Sequence, residues 1–226
     1  RIKAGLTARC AGTVYSWMPM PATDAPPLLL RPELLGSVDR YIHMASHGSV
    51  AVDVGLPYDK RAKSTHRFTI ADTRGALNVT VPIVHPAVHH GTLLSDILLS
   101  DHSPWWLTAM TALESAYGRT PYFEFYADDF AGLFDAGRVG TRLVDFCRDL
   151  DAVVCRLIGL RMPSYGVLGA ETAAVHDMRR GVAAIEDFRP YYQVREDKLG
   201  FLPHMSIVDL LFNLGPESLL YLEGSL

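Results

Sequence analysis

The sequence has little cysteine, no long apolar run and no surplus of positive charge, and each shortage narrows what the protein can be. Three cysteines in 226 residues cannot build a disulfide framework. Cys147 and Cys155 fall eight residues apart in one helical stretch; that is about 12 Å of rise, whereas a disulfide tolerates at most about 7 Å between Cα atoms. Cys10 is left alone, and a reducing, cytoplasmic setting is the expectation. No stretch approaches the roughly 18 apolar residues of a spanning helix. Arg9 interrupts the only early run that resembles the core of a signal peptide. Acidic residues outnumber basic ones by 25 to 21, for a formal net charge of −4. A binder of phosphate backbones concentrates Lys and Arg, so nucleic acid is not an expected partner.

Several chemical signatures are absent too. There is no Gly-x-Gly-x-x-Gly or Walker loop, no Gly-x-Ser-x-Gly elbow, and no internal repeat. No cofactor is expected, and nothing in the chain sets an oligomeric state.

What is present is an ordinary globular composition, 49% apolar and 10% aromatic, enough for one sizeable core. From Met18 to Pro32 five prolines remove backbone donors, so residues 1–32 are expected to form an irregular arm before a single domain over 33–226. Residues Ser49 to Val54, His66 to Ile70 and Leu77 to Ile83 read as strands, the last two joined by hairpin chemistry at Asp72 and Gly75. The period then lengthens to 3.6. Ser103 and Pro104 open a helix whose face carries Trp106, Met110, Leu113 and Tyr117, with Gly118 as its stop. Thr141 opens another, with Leu143, Cys147, Leu150, Val154 and Leu157 in one stripe up to Gly159. Pro163 to Arg189 reads as irregular apart from a short helix over Ala173 to Met178, and a buried helix runs from Ser206 to Phe212 before a last helical turn begun by Pro216. The expected class is therefore α+β: an N-terminal mixed or antiparallel sheet carrying all three strands, packed against a helical C-terminal half, with the C-terminal segment docked back on the core.

Three stretches carry a family resemblance. "RPYYQVREDKLGFLPHMSIVDLLFNLGPESLLYL", "DHSPWWLTAMTALESAYGRTPYFEFYADDF" and "LNVTVPI" closely resemble segments of the WbqC-like protein family, in its Bacteroidetes-type form. Where that family shows Tyr-x-Lys and then an Arg-Asn-Arg triplet, this chain keeps Tyr58 and Lys60 but has Thr65, His66 and Arg67. The resemblance implies bacterial surface-polysaccharide (O-antigen) biosynthesis and a transferase that moves an amino-acyl or acyl group to a sugar. Its partners would be small molecules, an activated sugar or acyl donor and its acceptor. A non-enzymatic scaffold of glycan synthesis, or a relative that keeps the fold without turnover, are the alternatives.

Candidate site residues follow from chemistry and spacing. Lys60, His66 and Arg67 offer a point charge and a planar fork for the phosphate of an activated donor, though such residues are also ordinary solvated surface. Alternation in a strand sends His66 and Arg67 to opposite faces. Glu114 and Tyr117 sit near a helix end followed by Pro121, Tyr122, Phe123 and Glu124; a carboxylate among aromatic walls has its pKa raised and can act as a general base. Ser206, Asp209 and Asn213 recur at i, i+3 and i+7 on an otherwise apolar helix. They form either its solvent face or a stripe in which Asp209 orients Tyr192, Lys198 or Arg195. Glu114 and Asp209 are thus the catalytic candidates. Lys60, His66, Arg67, Tyr117, Tyr191, Tyr192, Lys198 and Asn213 are the ligand-binding ones, in a cleft where Arg67, Glu114 and Asp209 converge. His85, His89 and His90 crowd one loop, but no Cys or carboxylate stands at supporting spacing except the distant Asp96, and no metal site is expected there.

Overall fold

The computed structural model describes residues 26–86, 91–169 and 175–225. Strand β1 (Leu28–Leu30) leads into α1 (Val38–Ser46) and back into β2 (Val50–Asp53), with β1 and β2 parallel. A hairpin, β3 (Arg67–Asp72) and β4 (Gly75–Thr80), comes next, then α2 (Trp105–Tyr117), α3 (Phe123–Ala131) and α4 (Leu143–Ile158). Two short strands, β5 (Ser164–Gly166) and β6 (His176–Asp177), join the first sheet, and α5 (Glu196–Leu199), α6 (Ile207–Leu214) and α7 (Ser218–Glu223) complete the chain. The class is α+β. One sheet is wholly parallel, in the order β5-β2-β1-β6, and the other is the β3-β4 hairpin alone.

The three strands read from the sequence therefore divide between two sheets rather than sharing one. The arm expected over 1–32 also ends earlier. Residues 1–25 and Cys10 with them lie outside the described residues, but Leu28–Leu30 are fully buried and form a central strand. A strand covered on both faces by helices reads as an unbroken apolar run without alternation, and the neighbouring prolines disguise it further. Similarly, Ala173 of the expected short helix lies outside the described residues, while His176–Asp177 pair with Leu28 and Leu29 as strand. Helix α1 escapes the periodicity test because its polar side is buried as well. Asp39 accepts from the Ile185 amide at 2.9 Å, and Arg40 reaches Asp151 at 3.1 Å.

The remaining long helices track the sequence closely. In α4, Leu143, Cys147, Leu150 and Val154 are buried, and Gly159 closes the helix at φ 77°, the left-handed conformation a glycine adopts without strain. Helix α6 is buried on nearly every side, and Phe212 stacks edge-on against Phe123 and Phe130 with ring centroids 5.1 and 5.6 Å away. The C-terminal segment thus docks back as an inner element: the Ser206 amide donates to Thr69 of β3 at 2.8 Å, and that of Ile207 to Gly36 ahead of α1 at 2.9 Å.

Candidate functional site

The parallel sheet presents its carboxyl ends to one edge, where open α/β sheets bind ligands. Leu30 stands beside Val52, and Leu29 beside Asp177. One step further along, the register places Arg31, Asp53 and Arg179 at that same edge, where Arg179 pairs with Asp53 and the charges acting on Arg31 are those of Glu33 and Asp59. Asp53 is buried; its Oδ1 accepts the Gly55 amide at 2.9 Å and its Oδ2 takes Arg179 Nη1 at 3.0 Å. Arg179 also grips Asp177 through Nε at 3.0 Å and Nη2 at 2.7 Å. Its pKa is raised by Asp177 first and Asp53 next, so it is a permanently charged clamp with each of its three nitrogens bonded to a carboxylate.

Arg31 differs. It is only 6% exposed, its Nε is buried without a hydrogen-bond partner, and among the described residues it makes no ion pair. Burial lowers its pKa, against the pull of Glu33 and Asp59. Glu33, also buried, accepts the Ser64 hydroxyl at 2.8 Å. Beneath them Arg40 donates to the Arg31 carbonyl at 2.9 Å, and Asp151 collects Arg40 at 3.1 Å, the Tyr41 hydroxyl at 2.6 Å and the Tyr165 hydroxyl at 2.7 Å. Burial and the Asp151 charge push both phenols far up, so they remain neutral donors. In this lower layer the Asp151 carboxylate is fully engaged and Arg40 has an ion-pair partner, although the Arg40 Nε, like that of Arg31, is buried without a hydrogen bond. Arg31 above it is a desolvated cation with donor capacity unused, which is the chemistry of an anion-binding position.

A second polar knot lies under the C-terminal segment. Asp209 Oδ2 accepts the Tyr191 hydroxyl at 2.6 Å and Gln193 Nε2 at 2.8 Å, while its Oδ1 has no partner. The Tyr117 hydroxyl accepts the Ala71 amide at 3.1 Å, and Asn213 accepts the Val194 amide at 3.0 Å while donating to the Asp209 carbonyl at 2.7 Å. Burial raises the Asp209 pKa, opposed by its hydrogen bonds, foremost that from Tyr191. The cavity these residues line with Arg195 measures about 10 Å³, room for one water and no substrate.

Of the residues singled out by sequence, Tyr117, Tyr191, Asp209 and Asn213 come together in this knot. The partners of Asp209 there are Tyr191 and Gln193, not Tyr192, Lys198 or Arg195. Tyr192 is exposed beside Glu196 and Asp197 along an open concavity, and Lys198 is exposed on α5. Glu114 faces solvent on α2; Arg67 Nε is bonded to Thr80 across the hairpin at 2.9 Å. Arg67, Glu114 and Asp209 therefore do not converge on a cleft. His66 is buried beside Thr65, and desolvation together with Lys63 and Arg67 drives its pKa down to about 4. Lys60 is exposed, one residue after Asp59, whose charge reaches Arg31. His89 and His90 lie outside the described residues, and among the described ones no group of three or more His, Cys, Asp or Glu is arranged around a metal position.

Sequence reasoning missed Arg31, Asp53 and Arg179. The signal was there in part: Arg31 ends a run of three leucines and Asp53 ends "VAVD", each a charge at the close of a strand. Only the parallel register brings them to one edge. A model of the WbqC-like protein family matches residues 50–187 of the chain, which takes in β2 through β6 and stops short of the docked C-terminal segment. No curated protein and no solved structure matches.

Proposed function

We propose that this chain, which belongs to the WbqC-like protein family, is a cytoplasmic transferase of bacterial surface-polysaccharide synthesis that holds the anionic part of its activated donor at the carboxyl edge of its parallel sheet. The observation that carries this reading is Arg31: a guanidinium 6% exposed, without an ion pair among the described residues, at the end of a central strand. Burying a cation that the charges of Glu33 and Asp59 compensate only at a distance, with no direct ion pair, is costly to the fold. An anion from outside supplies the missing partner and is bound tightly for the same reason. Arg179, locked by Asp53 and Asp177, holds the ends of the neighbouring strands β2 and β6 at the same edge. Glu33, with one oxygen held by Ser64, is the buried carboxylate closest in sequence to Arg31 and serves as the general base for an acceptor hydroxyl. The Asp209 knot then has a supporting role, anchoring the C-terminal segment instead of touching substrate.

Thermal-shift screening against nucleotide sugars, aminoacyl donors and acyl-CoA compounds tests the proposal, since a ligand at 100 times its Kd stabilises by about 2.7 kcal/mol. A donor that raises the melting temperature of the native chain and not of Arg31→Ala supports it. A donor that binds both equally, or no binding by any of the three classes, removes it.

A further inference from the structure

The opposite, amino-terminal edge of the parallel sheet carries three histidines that the proposed reaction does not use. His43 and His47 lie one turn apart at the end of α1, and His176 opens β6. His47 Nδ1 is 2.7 Å from the His43 carbonyl, so that nitrogen carries the proton and donates. The Nε2 of His47 is then an acceptor, and His176 Nδ1 donates to it at 3.1 Å, so the two rings share one proton that a metal ion would displace.

We propose that His47 Nε2 and His176 Nδ1 together bind one divalent d-block cation of the zinc or nickel class, with water completing its coordination. Two imidazole nitrogens each about 2.0–2.1 Å from a tetrahedral metal stand about 3.3 Å apart, close to the 3.1 Å seen here. The backbone carbonyl on the far nitrogen of His47 is the outer partner that orients metal-bound imidazoles and raises their basicity. His47 is also the C-cap of a nine-residue helix, at the negative end of its dipole, where a cation is stabilised. The groups around the pair are few. From α1, the His43 ring meets the Ala183 carbonyl at 3.0 Å through Nε2, and burial with His176 and His47 lowers its pKa, which keeps it neutral. Ser46 Oγ stands 2.9 Å from His47 Nδ1 and donates to the His43 carbonyl. From the turn before β5, Arg161 donates to the Gly48 carbonyl at 3.1 Å, a positive charge that opposes a cation. Asp177, next to His176, is already held by Arg179.

Isothermal titration of the full, metal-stripped chain without a histidine tag, using zinc chloride and separately nickel chloride near neutral pH, decides the matter. One saturable 1:1 event is expected, weakened about tenfold or more in His47→Gln and in His176→Gln. His102→Gln, remote from the pair, leaves it unchanged, and zinc raises the melting temperature of the native chain but of neither pair variant. His176 is exposed at a strand start, so its variant folds and suffices alone should His47→Gln not. Absence of saturable heat, or an event that the His176 variant retains, overturns the site.

Discussion

Replacing Arg31 with methionine keeps the length of the side chain and removes a guanidinium whose Nε is buried without a partner. A residue placed for stability destabilises when removed, whereas here thermal unfolding is expected to move upward, by about 1 kcal/mol, while donor binding disappears. Asp209 gives the contrary case. Asp209→Ala strands two buried donors, the Tyr191 hydroxyl and Gln193 Nε2, at about 1–3 kcal/mol each, so urea unfolding should show a loss near 3 kcal/mol. Two titrations have opposite signs. His66 is depressed to about 4 in the folded chain, so its contribution is intact above the ordinary histidine value of about 6.5 and drains away as pH falls toward 4. The native chain should therefore lose on the order of 2 kcal/mol over that interval relative to His66→Gln, checked by unfolding at several pH values. Asp209 is raised, so the folded chain takes up its proton before the unfolded one does. Acidification from neutrality toward its unfolded value should then stabilise the native chain relative to Asp209→Asn. At this scale the sequence marks Asp209 and Asn213 by their polarity on an apolar helix, and Tyr117 by its place on one. It cannot mark Arg31, because an arginine after three leucines reads the same whether the strand ends in solvent or at a buried edge.

Helices with one apolar stripe are legible: α2 and α4 fall within a residue or two of the expected spans, since burial on one face writes a 3.6-residue period into the chain, while α6, buried on nearly every side, is legible from its long apolar run and its Gly-Pro stop. The hairpin is legible for the parallel reason, from Asp72–Gly75 between alternating runs. The shorter or more polar elements buried all round are not. Helix α1 hides its polar groups in ion pairs, β1 is three leucines, and β5 and β6 are three and two residues long, too short to carry any period. In α3 the aromatics of "PYFEFYADDF" fall on several sides of the helix, so no single stripe stands out. One element junction has a sharp test. Gly215, between α6 and the last turn, has φ 54° and ψ −123°, and a Cβ there would stand 2.5 Å from the Tyr122 ring. Gly215→Ala faces both the backbone strain and the clash, and a loss of about 2 kcal/mol or more is expected in denaturant unfolding. Gly140, also at positive φ but with open space around its α-carbon, should cost only about 1 kcal/mol as alanine and serves as the comparison.

At the scale of the molecule, the family match ends at residue 187, yet the packing continues without a break into the C-terminal segment. Helix α6 touches α1, α3, α4 and β3, so it joins the hairpin to both the parallel sheet's crossover helix and the helical half. The Val38 amide, which opens α1, donates to the Met205 carbonyl at 2.8 Å, and the Gln193 side chain closes the loop before α6 by bonding Leu202 in both directions, at 2.8 and 2.9 Å. A segment wired this way is a wall of the core, and its density of aromatic and polar residues needs no catalytic explanation. The consequence is testable by ending the chain at Asp187. Were the segment an appendage, the shortened protein would melt cooperatively within a few degrees of the full chain. Because α6 instead covers apolar surface from both halves, removing it exposes Tyr117, Phe123 and Phe130 together and withdraws the partners of β3 and α1. The shortened chain is expected to keep much of its far-ultraviolet circular dichroism, lose its near-ultraviolet signal and show no sharp thermal transition, the behaviour of a chain that has collapsed without specific packing.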